Sequence, residues 1–563
     1  MTSRRDDGGS ETLLKRQGPA VLVGVLALIL TVSAYRPALD SGFYFDDNTN
    51  LVRAPALHWS EVSLRAARDL WTNAHLPTRF VANLTLALNH AAAGLRPMGY
   101  HAVNVVIHLL VGLAVFVLIR AYEGGTRSGA PGGGTWPQAA GPAAALAAAL
   151  FLVHPLNTQA VTYVVQRMAS LAALFCIVAF TIYLLAREHR SGRSAWYLGA
   201  TAVPIWLLGM GCKENAALLP FVLIAYEACF HRDFWRARWN ALGNRGRLAL
   251  FAACVTAAAV LVSVFGSSFR FTHTWDIRDF NGWERILTQL RVQWLYLGLL
   301  IWPSPGRLTL EHDVAVSRSL LDPVSTLVAG LLWVVALGGV LVLCARWPRY
   351  GFPLAAYLIW HSLESGPVNL ELVFEHRMYL PMTMVALLAG VVLADVGGGR
   401  LRHLPFIALA LTLPMARATW ERNRVWADEE AFFRDTAIKA PNKFRPWYNL
   451  GTFLGREGRI EEARGPLERA AQLDPEHSEV NNQLGNIYLL SGKAQQALEA
   501  YRKAVRLTPE NMEARYNLAA LADQLGLNEE AVRNYRAFIE AAPPPLAEYA
   551  ARARVRVGQL EKR

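Results

Sequence analysis

The sequence has little charge and few cysteines for its length. Only 18% of its 563 residues are charged and 53% are hydrophobic, a balance well to the apolar side of soluble proteins. Its five cysteines form no CxxC pair and lie in or beside apolar segments, which argues against a disulfide framework or a zinc site. Many of its arginines lie in short loops between apolar runs, so the net charge of +12 does not indicate nucleic-acid binding. These absences favour an integral membrane protein.

Long apolar runs fill the first three quarters of the chain, whereas the tail from about Trp420 is charged. We predict about eleven membrane spans. The expected spans are 19–35, 102–120, 142–153 with flanks, 169–186, 195–211, 216–230, 248–266, 324–344, 351–363, 378–395 and 403–418. The run 286–302 contains Arg291 and, as a full span, would reverse the side of every later basic loop. We therefore predict an interfacial or re-entrant helix there.

The arginines of the short loops determine the expected orientation. Placing the N-terminus in the cytoplasm puts nearly every basic short loop there, as the positive-inside rule requires. These loops contain Arg4, Arg5, Lys15, Arg16, Arg187, Arg190, Arg193, Arg232, Arg236, Arg238, Arg245, Arg247, Arg346, Arg349, Arg400 and Arg402. No small-residue cleavage site follows the first apolar run, so we expect an uncleaved anchor. The outer side then receives the loops 36–101, 267–323 and 364–377, the short segments around 154–168 and 211–215, and the C-terminal tail.

A 34-residue period begins at Phe444 and predicts tetratricopeptide repeats, each made of two helices. One set of positions recurs in three units: Trp447, Leu450, Gly451, Ala463, Leu467, Ala470 and Pro475; Asn481, Leu484, Gly485, Ala497, Tyr501, Ala504 and Pro509; and, more loosely, Arg515, Leu518, Ala519, Ala531, Tyr535, Phe538 and Pro543. The concave surface of stacked repeats usually binds extended peptide. It also suits self-association or complex assembly, and the repeats alone do not decide between these roles.

The expected domain organisation follows from the apolar runs and the repeat period. The predicted segments are a cytoplasmic segment 1–18, a membrane domain 19–418, a connector or partial repeat 419–443, three repeats 444–545 and a capping helix 546–563. The predicted fold class is all-α, with a polytopic helical bundle followed by an α-solenoid.

Ionisable residues gather at the ends of apolar segments on the expected outer side. The first outer loop carries two adjacent carboxylates, Asp46 and Asp47, after three aromatic residues. A carboxylate beside a low-dielectric boundary can have its pKa raised toward the range of a general base. An acid pair in a loop is, however, more often a turn or a helix cap. The other candidates are Arg79, His154, Arg167, Lys213, Glu214, Glu375, His376 and Arg377.

Both functional and ordinary roles fit these other candidates. The cations could hold a phosphate, because Arg offers a bidentate fork and Lys a point charge. Any single one could instead only reach the membrane interface with its charged end. His154 and His376 with Glu214 could ligate a metal, but no ligand spacing supports this, and we expect hydrogen-bonded histidines and no metal.

Five sequence blocks carry a family resemblance. They are FYFDDN at 43–48, RFVANLTLALNHAAAGLRPMGYHAVNVVIHLL at 79–110, HPLNTQAVTYVVQRMASLAALF at 154–175, CKENAALLP at 212–220 and EHRMYLPM at 375–382. Followed by the repeats, they resemble the transmembrane and tetratricopeptide-repeat protein O-mannosyltransferases over nearly the whole chain. The resemblance implies a C-type glycosyltransferase fold with its active site on the outer face. It also implies a polyprenyl-phosphate sugar as donor substrate, without a further cofactor, and an exported protein as acceptor.

The resemblance also implies roles for individual residues. Asp46 falls on the family's first acid and would be the general base, while Asp47 would orient the base or the acceptor. Arg79, Arg167, Lys213 and Arg377 fall on basic motif positions and would hold the lipid phosphate. His154, Glu214, Glu375 and His376 remain further site candidates.

The chain departs from the family's animal members in two respects, Phe80 where proline often follows the first motif arginine, and few repeats. We expect a bacterial-type member in the inner membrane, with its repeats in the periplasm. Two alternatives stay open: a membrane-anchored repeat scaffold without catalysis, and transfer of the sugar to a lipid or glycan acceptor.

Overall fold

A computed structural model describes residues 8–127, 140–188, 193–249, 252, 256, 279–366, 368–397 and 403–562. Within these ranges the regular structure is helical and contains no strand, which confirms the all-α class. The chain divides into a membrane unit, Met1–Leu310 with Val314–Asp428, and a repeat unit, Glu311–Asp313 with Glu429–Arg563. The division at Asp428 lies beyond the predicted end of the membrane domain at 418, because the last helix of this unit continues through to Ala427.

The membrane unit consists of long apolar helices joined by short helical turns. Its α-helices within the described ranges are α1 Gly8–Tyr35, α2 Leu64–Asn73, α3 Phe80–Ala93, α4 Pro97–Arg127, α5 Ala140–Leu152, α6 Thr158–Thr162, α7 Arg167–Glu188, α8 Arg193–Met210, α9 Leu219–Phe230, α10 Arg232–Ala241, α11 Gly282–Ile301, α12 Ser325–Arg346, α13 Pro348–Ser362, α14 Tyr379–Gly397 and α15 Leu404–Ala427.

Helix α5 lies at the centre of the bundle. It packs against α1, α4, α14 and α15, and its alanine-rich sequence allows these helices to approach closely. Gly112 of α4 shows how close the approach is, because a Cβ at that position would lie 2.5 Å from Leu152. Small residues therefore let the helices around α5 pack closely.

Among the described residues, five helices are long and apolar enough to cross a membrane, or six if a bent pair is one span. They are Gly18–Asp40, Pro97–Thr126, Val164–Arg187, Ser325–Arg346 and Glu375–Val396, with Gly141–Leu152 and Pro155–Thr162 as the bent pair. Four other predicted spans coincide with α8, α9, α13 and α15, which are shorter or less apolar. The predicted span 248–266 lies almost entirely outside the described residues. The count of about eleven therefore stays a prediction.

The predicted interfacial run 286–302 falls within α11. This helix is not among the candidate spans. Its polar side chains face another part of the same unit: Arg285, Gln289 and Tyr296 donate hydrogen bonds to backbone carbonyls of the segment 364–374. These side chains thus hold that segment in place, whereas Arg291 donates to the carbonyl of Ala315 at 2.9 Å.

The repeat unit contains three helix pairs at the predicted period, flanked by one helix on each side. Its helices are α16 Glu429–Lys439, α17 Phe444–Arg456, α18 Ile460–Leu473, α19 Ser478–Leu490, α20 Ala494–Leu507, α21 Met512–Gln524, α22 Asn528–Ala541 and α23 Ala547–Leu560. The two helices of each pair are joined through a glycine with positive φ, Gly458, Gly492 or Gly526, a conformation that costs glycine little. Helix α16 packs against α17, as expected of a partial preceding repeat.

Candidate active site

The acid pair lies just after the first candidate span, on a loop that the structure holds tightly. Asp47 is buried, and its carboxylate accepts hydrogen bonds from the backbone N–H groups of Tyr44 (3.1 Å) and Val165 (2.8 Å). Burial raises the pKa of Asp47 to about 7, although both N–H groups act to lower it. Asp46, in contrast, is exposed. The side chain of Asp46 is thus open to solvent, whereas that of Asp47 holds the loop to the rest of the protein.

Tyr163 holds the backbone at Asp46. Its hydroxyl oxygen accepts the backbone N–H of Asp46 at 2.8 Å. Behind it, the Tyr163 ring packs against Trp426, whose carbonyl accepts the hydroxyl of Tyr44 at 2.8 Å. Phe45 has a positive φ of 43°, which is rare for a bulky residue and persists only where the surroundings determine it. The backbone around Asp46 is therefore held by several independent contacts.

Arg167 is fully buried, and all three nitrogens of its guanidinium group donate hydrogen bonds within the protein. Nε donates to the side-chain oxygen of Asn104 (2.6 Å), while the terminal nitrogens donate to the carbonyls of Thr85 (3.1 Å) and Tyr100 (2.9 Å). These acceptors belong to α3 and α4. Arg167 thus ties the start of α7 to two other helices, a position unlike that of a cation open to a lipid phosphate.

Arg79 and Glu214 form a bidentate ion pair. Nε and one terminal nitrogen of Arg79 each donate to a Glu214 oxygen at 3.0 Å. The other terminal nitrogen points to the sulfur of Met168 at 3.3 Å, which is a weak acceptor. Burial alone would raise the pKa of Glu214, but Arg79 outweighs this effect and lowers it. About a quarter of the Arg79 side chain remains exposed.

The segment 163–168 connects the two charged groups. Tyr163 and Val165 bond the acid pair, and Met168 contacts Arg79. Arg167 lies between these contacts and anchors the segment to α3 and α4. Residues from the first, second and third motif blocks therefore meet around six consecutive residues.

A second cluster of charges surrounds Lys213. Its ammonium group lies 2.6 Å from the carboxylate of Glu364, and both side chains are mostly buried. Burial alone would raise the pKa of Glu364, but Lys213 and Arg377 outweigh it and the pKa is lowered. Arg377 is buried and donates to the carbonyl of Glu371 at 2.6 Å. Lys213, Glu364 and Arg377 thus lie close enough to interact electrostatically.

The remaining candidates have internal partners. His154 caps a turn, with Nδ1 accepting the N–H of Leu156 (3.2 Å) and Nε2 donating to the carbonyl of Leu300 (3.0 Å). The carboxylate of Glu375 accepts the N–H of Thr309 at 2.7 Å. His376 hydrogen-bonds Gln159 through both its backbone N–H and Nδ1. In the described part of the chain, no three His, Cys, Asp or Glu side chains group as a metal site would require.

Sequence reasoning missed four residues that shape this site, namely Tyr163, Asn104, Glu364 and Arg285. Arg285 is fully buried and donates to three carbonyls of the segment 364–370, including those of Glu364 and Gly366. It thereby holds the loop that carries the partner of Lys213. Tyr163 and Asn104 stood inside recognised motif blocks, but no spacing rule singles out a hydroxyl or an amide within an apolar run.

The fold and site define a class: a multi-pass membrane protein with a charged cluster at the ends of its helices and a repeat tail. A family model described as a TPR repeat matches residues 485–526, and one described as a tetratricopeptide repeat matches residues 513–545. These matches confirm the repeats predicted from the period.

Relatives with curated names are similar to most of the chain. A protein O-mannosyl-transferase of Caenorhabditis elegans is 23% identical over 81% of this chain and 63% of its own length. Protein O-mannosyl-transferase Tmtc1 of Drosophila melanogaster is 26% identical over 80% and 61%, and TMTC1 of Homo sapiens is 23% identical over 86% and 59%. The chain thus spans about three fifths of the length of these relatives. The similarity confirms the family resemblance inferred from the motif blocks.

Proposed function

We propose that the chain is a membrane glycosyltransferase that transfers a sugar from a polyprenyl phosphate to Ser or Thr hydroxyls of exported proteins. The names of its relatives support sugar transfer to protein. One structural observation carries the proposal for this chain. Asp46, whose side chain is exposed and whose backbone N–H bonds Tyr163, and the partly exposed Arg79 contact opposite ends of the segment 163–168. A general base and a cation for a leaving phosphate are the two groups that this reaction needs.

In the proposed reaction, Asp46 removes the proton of the acceptor hydroxyl as its oxygen attacks the anomeric carbon. The new bond forms on one face of the sugar while the bond to the lipid phosphate breaks on the other, so configuration inverts. Asp47 keeps the loop in position through its two backbone hydrogen bonds. The leaving phosphate takes the bonding electrons, and the nearby cations stabilise its charge. The proposal includes no metal.

Arg79 is the cation best suited to contact the phosphate. Its Glu214 pair leaves one terminal nitrogen on the Met168 sulfur, and a phosphate oxygen there would form a much stronger, charge-assisted hydrogen bond. Lys213 and Arg377 lie deeper and would act mainly through their charge. Arg167 would act indirectly by positioning the segment 163–168. The repeats would bind the acceptor protein on the outer, periplasmic side of a bacterial inner membrane.

Replacing Asp46 with Asn tests this proposal. Asn keeps the shape of the side chain but cannot accept the proton, so transfer should fall by roughly 10²- to 10⁴-fold. The protein should remain folded, because the Asp46 side chain is exposed. Sugar occupancy on an exported acceptor, measured by mass spectrometry in cells with matched protein levels, provides the readout.

Asp69→Asn is the matched control, because Asp69 is also an exposed acid of the first outer loop. It should keep wild-type occupancy. Asp47→Asn should reduce transfer less than Asp46→Asn, since Asn can still accept one of the two backbone hydrogen bonds. Unchanged occupancy when Asp46 and Asp47 are both replaced would exclude the mechanism and leave the repeat scaffold as the better hypothesis.

A further inference from the structure

Within the part of the membrane unit that the structure describes, helix α10 differs from the other helices because none of its residues is buried. Its aromatic side chains Phe234, Trp235 and Trp239 are 43–51% exposed. Five arginines and one aspartate lie in the segment 232–247, a net charge of +4. A short helix that exposes both aromatic rings and arginines in a membrane protein needs a surface that can accommodate both.

This helix is fixed to the ends of two long helices. Glu227, near the end of α9, accepts hydrogen bonds from Trp235 Nε1 and from Arg187 of α7. The Arg187 guanidinium also lies 5.1 Å from the centre of the Phe234 ring. Helix α9 is apolar and ends at Phe230, directly before α10. The aromatic rings therefore lie where the apolar surface of the bundle ends.

Arginines of this segment pack against its aromatic rings. Arg247 folds back onto the helix, donating to the carbonyl of Trp239 at 3.2 Å with its guanidinium 5.4 Å from that ring. Arg238 lies 5.3 Å from the Phe234 ring. Aromatic rings and guanidinium groups are thus packed together at this end of the bundle.

We propose that the segment 232–247 lies in the headgroup layer and binds anionic phospholipids through their phosphates. The arginines match the negative headgroups in charge and can bind phosphate oxygens bidentately. The exposed rings suit the boundary between headgroups and acyl chains. A soluble polyanion such as RNA would satisfy the arginines but would leave the rings beside the apolar end of α9 without a partner. The proposal is independent of the sugar-transfer activity.

The test compares lipid binding by the purified full-length chain in detergent. Phosphatidylglycerol and phosphatidylcholine are added at increasing concentrations, and bound lipid is counted by native mass spectrometry. Wild-type protein should retain phosphatidylglycerol in preference to phosphatidylcholine, and salt should weaken that preference. Replacing Arg232, Arg236 and Arg238 together with Gln should weaken phosphatidylglycerol binding by roughly 10- to 100-fold, since each basic residue near an anionic surface contributes to attraction.

The matched control replaces the exposed Arg506, Arg533 and Arg554 of the repeat unit with Gln, which changes the net charge equally. It should bind phosphatidylglycerol like the wild type. If the Arg232, Arg236 and Arg238 variant does not fold, the lipid preference of the wild-type protein and its dependence on salt decide. Equal binding of both lipids overturns the proposal, as does binding of a short RNA as tight as that of phosphatidylglycerol. An equal loss in both triple variants would also overturn it, because the effect would then be one of net charge.

Discussion

The membrane unit and the repeat unit bury different kinds of side chain. In the membrane unit, Arg167, Arg285 and Glu375 are buried almost completely, each with hydrogen-bond partners far along the chain. The core of the repeat unit consists mainly of Ala, Leu, Ile, Val, Tyr and Phe side chains, and the polar side chains buried with them are neutral, such as Ser478 and Asn482. Its arginines form ion pairs nearer the surface, such as Arg502 with Glu530.

The two units therefore specify their folds by different kinds of contact. Apolar contacts between neighbouring repeats specify the solenoid, because each repeat touches only those beside it. In the membrane unit, apolar helices can slide past one another at little cost, since lipid is as apolar as they are. Buried polar bonds add geometric specificity to this packing. The groups proposed for catalysis lie beside these buried hydrogen bonds, which fix the positions of neighbouring residues.

The largest effect should come from removing Arg167. Arg167→Ala leaves the carbonyls of Thr85 and Tyr100 and the side chain of Asn104 without their donor, inside a space that no other residue fills. Unpaired buried acceptors and the cavity together should cost roughly 3–5 kcal/mol. Thermal unfolding of the detergent-solubilised chain would show a clearly lower midpoint, and sugar transfer would be lost with it.

Arg417→Ala is the control within the same unit. Arg417 is exposed and pairs with Glu421 one helical turn away, so its loss should hardly change the midpoint. The unfolding midpoint of Arg167→Lys should lie between those of Arg167→Ala and Arg417→Ala, because one ammonium group cannot reach three divergent acceptors. A normal midpoint for Arg167→Ala combined with lost transfer would assign Arg167 to the phosphate after all, as the sequence predicted.

A smaller effect is expected from a close packing contact in the repeat unit. A Cβ at Gly485 would lie 2.5 Å from the ring of Tyr501, which is buried and hydrogen-bonded to Asn486. Because the ring cannot move freely, Gly485→Ala should destabilise the unit by about 1–3 kcal/mol. Amide hydrogen exchange should accelerate in α19 and α20 and in the adjacent repeats, but not in the membrane unit.

Gly558→Ala is the control, and it should not lower the stability of the repeat unit. Gly558 lies in α23 with nothing within 4 Å of the added Cβ, so the variant should be unchanged or more stable by up to about 1 kcal/mol. Faster exchange that spread from Gly485→Ala into the membrane unit would contradict the view that the two units are specified separately.

The same difference explains what the sequence predicts well. The repeat helices were predictable because their information is local: small residues, prolines and turn glycines recur every 34 residues, and the structure has helix pairs at that period. The positions of the acid pair and of Arg79 followed from motif blocks. The choice of Asp46 as general base came from the family resemblance and stays a prediction; the structure shows Asp46 exposed and Asp47 buried.

Partners within the membrane unit could not be predicted in this way. Lys213 and Glu364 lie in segments far apart along the chain and meet only after several helices have packed. The hydroxyl of Tyr163 and the amide of Asn104 lie in apolar runs, where hydrophobic periodicity carries no information about single polar groups. Arg167 looked like a surface cation because it begins an apolar helix, and only the tertiary structure reveals the carbonyls that enclose it.

The smallest effect should come from Arg502→Gln in the repeat unit. Arg502 forms two hydrogen bonds to Glu530, at 2.9 and 2.6 Å, nearly as many as Arg167 makes. About a third of its side chain is exposed, so water can replace the lost partner, and the cost should be about 1 kcal/mol or less. Hydrogen exchange in α20 and α22 measures it, with high salt expected to reduce the difference further. A loss as large as that of Arg167→Ala would show that burial is not what separates the two units, and that ion pairs between repeats carry comparable weight.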